Sequence, residues 1–424
     1  MKKVIEILKA NADISDWKIN LHRRESCELF FIKGALDCVR RTDTTNNLVT
    51  VYVDGENCRG DAQFYVYPST TDAELERACA EAVKRAKLIK NAPYALPEDE
   101  KGEYTVDSNF PSREALELAK EIAAACFEAN AVENAAINSL EVFVTKHTEE
   151  IINSRGLAKK QTRFDAMVEA IPTYNGEKES VELYEQYNFS RWDKNALMEE
   201  IAGKMTEVKA RYEAAAPTFS LSCPVILRAG ELRQLFGEIA WDIDYSSVYS
   251  RSGLHKKGDA IQPAGGGDRL NITLLGELPG SVRSSRFDID GLALGELRVV
   301  EKGIVLAYHG SNRYGQYIGE RPSGILPCVS VEAGSLSEEA FTAGPALEIV
   351  SMSGLQVDFY SDYIGGEVRL AYYFDGEKTL PLTGISVAGK LSEVLAEIRF
   401  SEKCTLTGGY YGPEKAMIEN MKIF

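Results

Sequence analysis

Residues 223–243 read CPVILRAGELRQLFGEIAWDI, and this stretch decides how the second half of the chain is interpreted. The apolar run from Cys223 to Leu227 is typical of a short buried strand. After it, apolar residues recur at helical spacing and fall on one stripe, which consists of Leu232, Leu235, Phe236, Ile239 and Ile243. The pattern predicts a strand that leads directly into an amphipathic helix over residues 231–242.

Three carboxylates lie on one flank of this predicted helix: Glu231, Glu238 and Asp242. Glu238 and Asp242 are four residues apart, a spacing at which two carboxylates can share a cation or a proton. The alternative is a solvated acidic flank, and physical chemistry alone favours that interpretation. A zinc peptidase helix needs two imidazoles to hold the ion and a carboxylate to activate water. Glu238 is such a carboxylate, but no histidine lies between His147 and His255.

The length of 424 residues suits two domains, and we place the boundary at Pro217, where a predicted helix ends. Residues 1–216 mix strand-like segments with helical periods and predict an N-terminal α+β domain. The strand-like segments at its start are 17–23, 27–33, 36–42 and 48–53, and helices are expected over residues 71–90, 111–130 and 193–215. Residues 217–424 are rich in glycine and β-branched residues, which predicts a mostly β, barrel-like domain that carries the helix at 231–242.

Composition excludes several functional classes. The formal net charge of −16 disfavours binding to the phosphate backbone of nucleic acids. No apolar run approaches the roughly 20 residues of a membrane span, and the charged N-terminus is typical of a first helix rather than a signal peptide. The eight cysteines include no CxxC pair, so we expect reduced thiols and a cytoplasmic protein.

Other reactive side chains give weak signals. The four histidines, His22, His147, His255 and His309, do not share metal-ligand spacing, and a lone histidine is more often a surface or packing residue than a catalyst. Cys404 follows a lysine and precedes a turn, but the simpler interpretation is a small, partly buried thiol.

Several blocks of the sequence, in this order, resemble the TldD/PmbA family, which is also called the modulator of DNA gyrase or U62-type peptidase family. They cover nearly the whole chain. The blocks are Asn153–Leu157 with the following strand, Cys223–Leu227 with the helix after it, Leu278–Gly291 continuing through Val299–Val305, Tyr308 and Arg313–Tyr314, and Pro381–Gly389.

The resemblance implies a comparison with the HExxxH helix of the TldD branch. In that alignment Gly237 occupies the first histidine position, Glu238 the glutamate position and Asp242 the second histidine position. Cys404 matches a later cysteine that the family uses as a third ligand. Gly237 has no side chain to offer, so a two-histidine zinc site is not expected here. The chain therefore resembles the PmbA branch, also called TldE, which lacks the metal motif.

The resemblance implies a non-catalytic subunit that assembles with a zinc-bearing TldD-like chain for proteolysis of unfolded peptides. No cofactor is then expected in this chain, because the zinc resides in the partner, and neither nucleic acid nor a membrane is an expected partner. One alternative is a free-standing peptide-binding or scaffold protein that forms homodimers. Another is a metallopeptidase with a rebuilt site, in which Glu238 is the general base and Asp242 and Cys404 are weak metal ligands.

Overall fold

The computed structural model describes residues 2–424 and contains three β-sheets and eight α-helices. The first sheet uses strands between residues 16 and 189, and the other two use strands between residues 225 and 423. The predicted α+β class, with a mostly β second half, is confirmed. Helices between Lys2 and Phe424 are all too short or too polar to cross a lipid bilayer.

The N-terminal sheet has eight strands in the order β3-β2-β1-β5-β6-β4, and β7 and β8 also pair with β6. Its neighbouring strands are antiparallel except for β4, which runs parallel to β6. The strands are β1 (Asp16–Ile32), β2 (Ala35–Asp54), β3 (Arg59–Val66), β4 (Lys101–Thr105), β5 (Ala135–Asn153), β6 (Ala158–Asn175), β7 (Ser180–Glu182) and β8 (Glu185–Phe189).

The strands of this sheet are longer than the sequence predicted. The four expected short segments merge into two strands, β1 and β2, which form one antiparallel ladder and reverse at Lys33 and Gly34. Both turn residues have positive φ, 49° and 78°, as two-residue hairpin turns require. The polar stretch Arg23–Ser26 does not interrupt β1, because β5 continues the ladder on its other side. Polar side chains therefore occupy the middle of long strands rather than loops.

Four helices pack on one face of the sheet and form two separate cores. Helices α1 (Lys2–Ala10) and α2 (Asp72–Ala86) cover one end of the long strands, and α3 (Ala115–Glu128) and α4 (Lys194–Glu213) cover the other. The predicted helices are confirmed as α2, α3 and α4. Helix α2 ends at Ala86 and not near Lys90, because the N–H groups of Leu88 and Ile89 bond three residues back and close a tight turn. Thr71 and Glu74 form a capping box at its start.

The C-terminal half contains a six-stranded sheet in the order β12-β11-β10-β13-β21-β20. It also contains a nine-stranded sheet in the order β19-β22-β9-β14-β16-β18-β23, in which β15 and β17 pair with β16. The strands are β9 (Val225–Arg228), β10 (Ile272–Leu275), β11 (Glu296–Glu301), β12 (Ile304–Val305), β13 (Cys328–Val331), β14 (Ala346–Met352), β15 (Gln356–Asp358), β16 (Tyr363–Phe374), β17 (Thr379–Leu382), β18 (Ile385–Lys390), β19 (Arg399–Phe400), β20 (Cys404–Thr407), β21 (Tyr410–Pro413), β22 (Lys415–Ile418) and β23 (Lys422–Ile423).

Four further helices belong to this half: α5 (Ala229–Asp242), α6 (Tyr245–Ser250), α7 (Asn312–Tyr317) and α8 (Leu391–Glu397). The apolar stripe of α5 is completely buried in one continuous core with residues of both sheets. The predicted strand and helix over residues 223–243 are confirmed as β9 and α5. The placement of the domain boundary at Pro217 remains a prediction; α4 ends at Glu213 and β9 begins at Val225.

The two halves contact each other through polar bonds that are partly buried or exposed. Lys18 of β1 lies 2.5 Å from a carboxylate oxygen of Asp290. The connector after α2 runs along α7, where Tyr317 donates a hydrogen bond of 2.6 Å to the carbonyl of Ala92. Asn312 donates one of 2.8 Å to the carbonyl of Ala95. These bonds position the sheet face opposite the four helices against the loop at residues 282–290.

Candidate functional site

Helix α5 presents a buried face and an exposed face. On the buried side, Phe236 stacks on Tyr410 with ring centroids 5.8 Å apart and an interplanar angle of 10°. The exposed side consists of Arg233, Gln234, Gly237, Glu238 and Trp241. Trp241 is 52% exposed, which is unusual for a tryptophan outside a contact surface. A Cβ added at Gly237 would meet open space, so packing does not require glycine there.

Asp242, at the end of α5, is 1% exposed and serves as an anchor for the following loop. Its carboxylate accepts hydrogen bonds from the backbone N–H groups of Leu254 (2.7 Å) and His255 (3.1 Å). The Nδ1 atom of His255 lies 2.8 Å from the same carboxylate. Burial alone would raise the pKa of Asp242, but the bonds from the His255 ring and the two amides hold it below its usual value. The carboxylate is therefore ionised and fully engaged with the loop.

The remaining predicted site residues do not join Asp242. Glu238 is exposed and forms neither a hydrogen bond nor a salt bridge with any residue from 2 to 424. Cys404 begins β20 opposite Pro413, and burial raises the pKa of its thiol. Glu231 is buried at the start of α5, and burial raises its pKa to about 6. The sequence left open that the three carboxylates form a solvated acidic flank. Of the three, only Glu238 is exposed to solvent.

These placements do not fit a zinc ion. The described chain, from Lys2 onward, contains no group of three or more His, Cys, Asp or Glu side chains arranged to hold a metal ion. Gly237 contributes no ligand, and Asp242 already has three hydrogen-bond donors. Mixed carboxylate–thiolate sets without imidazole are also uncommon zinc sites. No reaction step is derived through a metal in this chain.

The structure also brings together histidines that the sequence left isolated. His22 of β1 and His147 of β5 stack with centroids 5.2 Å apart, and their Nε2 and Nδ1 atoms are 2.9 Å apart. The other nitrogen of His147 lies 2.7 Å from Asp165 on β6. Burial lowers the pKa of His22. His309 is separate, and its Nε2 atom lies 2.8 Å from the carbonyl oxygen of Ala240 in α5.

The histidine pair adjoins a cleft of about 470 Å³ between the N-terminal sheet and the loop at residues 282–290. In its wall, Arg163 binds Glu149 through two nitrogens, at 2.6 and 3.1 Å. Arg163 also donates a hydrogen bond of 3.0 Å to the carbonyl of Val282 across the cleft. Sequence reasoning missed this site, because only the strand register places residues from β1, β5 and β6 side by side.

Residues 220–424 match the sequence profile of the PmbA/TldA metallopeptidase C-terminal domain. The matched segment includes α5 and every strand from β9 to β23. This C-terminal half of the chain belongs to the TldD/PmbA family. The placement of Gly237 and Asp242 of α5 at the family's histidine positions, which the resemblance implies, remains a prediction. No curated protein matches the chain in sequence.

Solved structures of this family's fold cover the whole chain. TldE from Thermococcus kodakarensis superposes with a TM-score of 0.81 at 16% identity, covering 100% of this chain and 99% of the other. A candidate modulator of DNA gyrase from Thermotoga maritima gives 0.78 at 14% identity, with coverage of 100% and 99%. A similar protein from Bacteroides thetaiotaomicron gives 0.81 at 14% identity, with coverage of 100% and 97%. At these identities the likeness concerns the fold.

Proposed function

We propose that this chain is a PmbA/TldE-like subunit without a zinc site of its own, which assembles in the cytoplasm with a zinc-bearing TldD-like chain for proteolysis of unfolded peptides. One observation carries the proposal. The helix that should hold the ion is intact as a helix, but one ligand position is Gly237 and the other, Asp242, is committed to the loop at residues 254–255. The scaffold is retained while the ligand set is not.

The exposed side of α5 supplies a plausible contact surface for a partner or a peptide. Helix α5 lies against β20, and in the described chain β20 is paired only on its β21 side. The other edge of β20 leaves backbone N–H and C=O groups free, and Leu406 on this strand is 37% exposed. An extended peptide can add to such an edge as a further strand. Trp241, on the exposed side of α5, provides a further apolar contact area.

Reconstitution tests this function. The chain would be co-expressed with a TldD-like chain that carries HExxxH, and the purified mixture assayed with an unfolded, quenched-fluorescent peptide. We expect cleavage by the pair, none by this chain alone, and zinc only in the partner. Trp241→Ala should weaken assembly or cleavage at least about tenfold, since exposed aromatics dominate interface energies. Tyr184→Ala is the matched control, because Tyr184 is also an exposed aromatic residue but lies in the N-terminal half, on the connection between β7 and β8.

A second candidate, a free-standing peptide-binding homodimer, is favoured by the edge of β2. Strand β3 pairs with β2 only from Asn47 onward. Over residues 35–46, the side of β2 that faces away from β1 therefore has no partner strand within residues 2–424. Leu36 and Val39 on this edge are exposed. Long unpaired strand edges invite pairing with another chain. Light scattering on the isolated chain distinguishes the candidates: a stable dimer that Val39→Lys dissociates supports this one.

A further inference from the structure

The cleft between the two halves has in its wall an arginine that is not paired with a carboxylate of the described residues. Arg283 lines this cleft of about 470 Å³. Its guanidinium forms no hydrogen bond or salt bridge with any described residue, and only its backbone N–H is bonded, to Ser281. The side chain is exposed, so the guanidinium is solvated and can bind an anion without losing an internal partner.

The carboxylates of Glu149 and Asp288, which line the same cleft, already have partners within the protein. Glu149 is paired with Arg163 and accepts a further hydrogen bond of 2.5 Å from Gln161. Asp288 accepts three backbone N–H groups at 2.9–3.1 Å. Glu150 also lines the cleft, but its side chain starts from the opposite face of β5, because side chains alternate along a strand. The charge of Arg283 is therefore available to a ligand.

The side chain of Arg283 is held in place by a close backbone approach. A Cβ atom on Gly409 would come within 2.6 Å of the Arg283 Cδ atom, so the arginine stem lies directly on this glycine. Only glycine permits that contact, which limits the directions in which the guanidinium can point. A fixed guanidinium loses less entropy when it binds an anion than a free one does.

Apolar side chains accompany this charge. Phe287 is buried beside the cleft, and Leu294, Ile325 and Pro327 line it. Ile289 and Ile325 are exposed at its rim. A ligand that satisfies the whole site carries a carboxylate attached to an apolar group.

We propose that this cleft binds a carboxylate of a peptide, with Arg283 as its anchor and the neighbouring apolar wall in contact with the adjoining side chain. The proposal rests on the proposed function, because it assumes that this chain handles peptides. Arginine binds carboxylates through two parallel hydrogen bonds, which selects an anionic group over a neutral amide. The carboxylate can be the C-terminus or an acidic side chain, and the probes below separate these sources.

Calorimetry on the full chain tests the proposal with three N-acetylated hexapeptides. One ends in leucine with a free carboxylate, the second is its C-terminal amide, and the third is an amide with glutamate in place of the leucine. We expect the first, or the third, to bind about tenfold more tightly than the second, as one charge-assisted contact implies. The peptide that gains affinity identifies the carboxylate source.

Arg283→Gln should remove this preference. Arg286→Gln is the matched control, because Arg286 is paired with Glu277 at 2.7 Å and lies outside the cleft. Added salt should reduce the preference of the unmodified chain, which tests the charge without any substitution. Equal binding of all three peptides overturns the carboxylate anchor but leaves peptide binding in place. Absence of binding overturns the anchor as well, and reconstitution with the zinc-bearing chain then decides the proposed function separately.

Discussion

Replacing Glu231 by glutamine should stabilise this protein at neutral pH. Glu231 is 8% exposed and forms no salt bridge within the described residues. The nearest cations are already engaged, since Arg228 binds Glu207 at 2.7 Å and Glu348 at 2.8 Å. The carboxylate is therefore charged in a buried environment without a cation of its own. Glutamine keeps its shape and removes the charge.

The magnitude follows from the pKa. Burial raises the pKa of Glu231 from its ordinary 4.5 to about 6, which corresponds to about 2 kcal/mol between the two protonation states. Because the folded pKa lies above the unfolded one, ionisation of this group costs stability. The cost is absent below pH 4.5, grows as the pH rises from 4.5 through 6, and is complete at higher pH. Glu231→Gln should thus gain about 2 kcal/mol at neutral pH and almost nothing at acidic pH.

Urea unfolding followed by circular dichroism measures this difference at a pH of about 7.5 and about 4.5. Glu238→Gln is the matched control on the same helix; its side chain is exposed, so its effect should stay within about 0.5 kcal/mol. A loss of stability in Glu231→Gln at neutral pH would refute the reasoning. An equal gain at both pH values would show that packing, not charge, causes the effect.

Three further changes test other parts of the structure. Asp16→Asn should cost about 3–5 kcal/mol in urea unfolding, because the carboxylate of Asp16 is buried against Arg59 at 2.5 Å and its loss leaves a buried charge underpaired. Asp242→Ala should accelerate hydrogen exchange at the two loop amides that its carboxylate holds by at least about tenfold, and unchanged exchange would contradict the anchoring role. Gly237→Ala should raise the free energy of unfolding by about 0.5–1 kcal/mol, since the new methyl group meets open space in a helix interior; a decrease would show that glycine is needed there.

Local signals in the sequence were sufficient for elements whose partners are near in the chain. The helical periods of residues 71–90 and the apolar stripe of α5 predicted those helices, because both depend on spacing within a few turns. The length of β1 was not predictable in the same way. Its polar middle, Arg23–Ser26, is typical of a loop, and only the ladders to β2 and β5 keep it extended.

In the candidate site, too, features set by nearby residues were predictable and features set by distant residues were not. The apolar periodicity located the helix, and the family resemblance implied that Gly237 occupies the first histidine position. The role of Asp242 depends on the loop that returns to it with His255 thirteen residues later, and no spacing rule predicts this contact. The cleft near Arg283 likewise requires the register of three strands and the close approach of Gly409.

The central claim is that this chain contributes the fold of the family to a peptidase without contributing the metal. Metal analysis combined with peptide cleavage tests it most directly, on this chain alone and on its purified complex with an HExxxH-bearing partner. We expect no bound zinc and no cleavage for the isolated chain, and one zinc per pair with cleavage for the complex. Stoichiometric zinc in the isolated chain, with cleavage that Glu238→Gln abolishes, would contradict it.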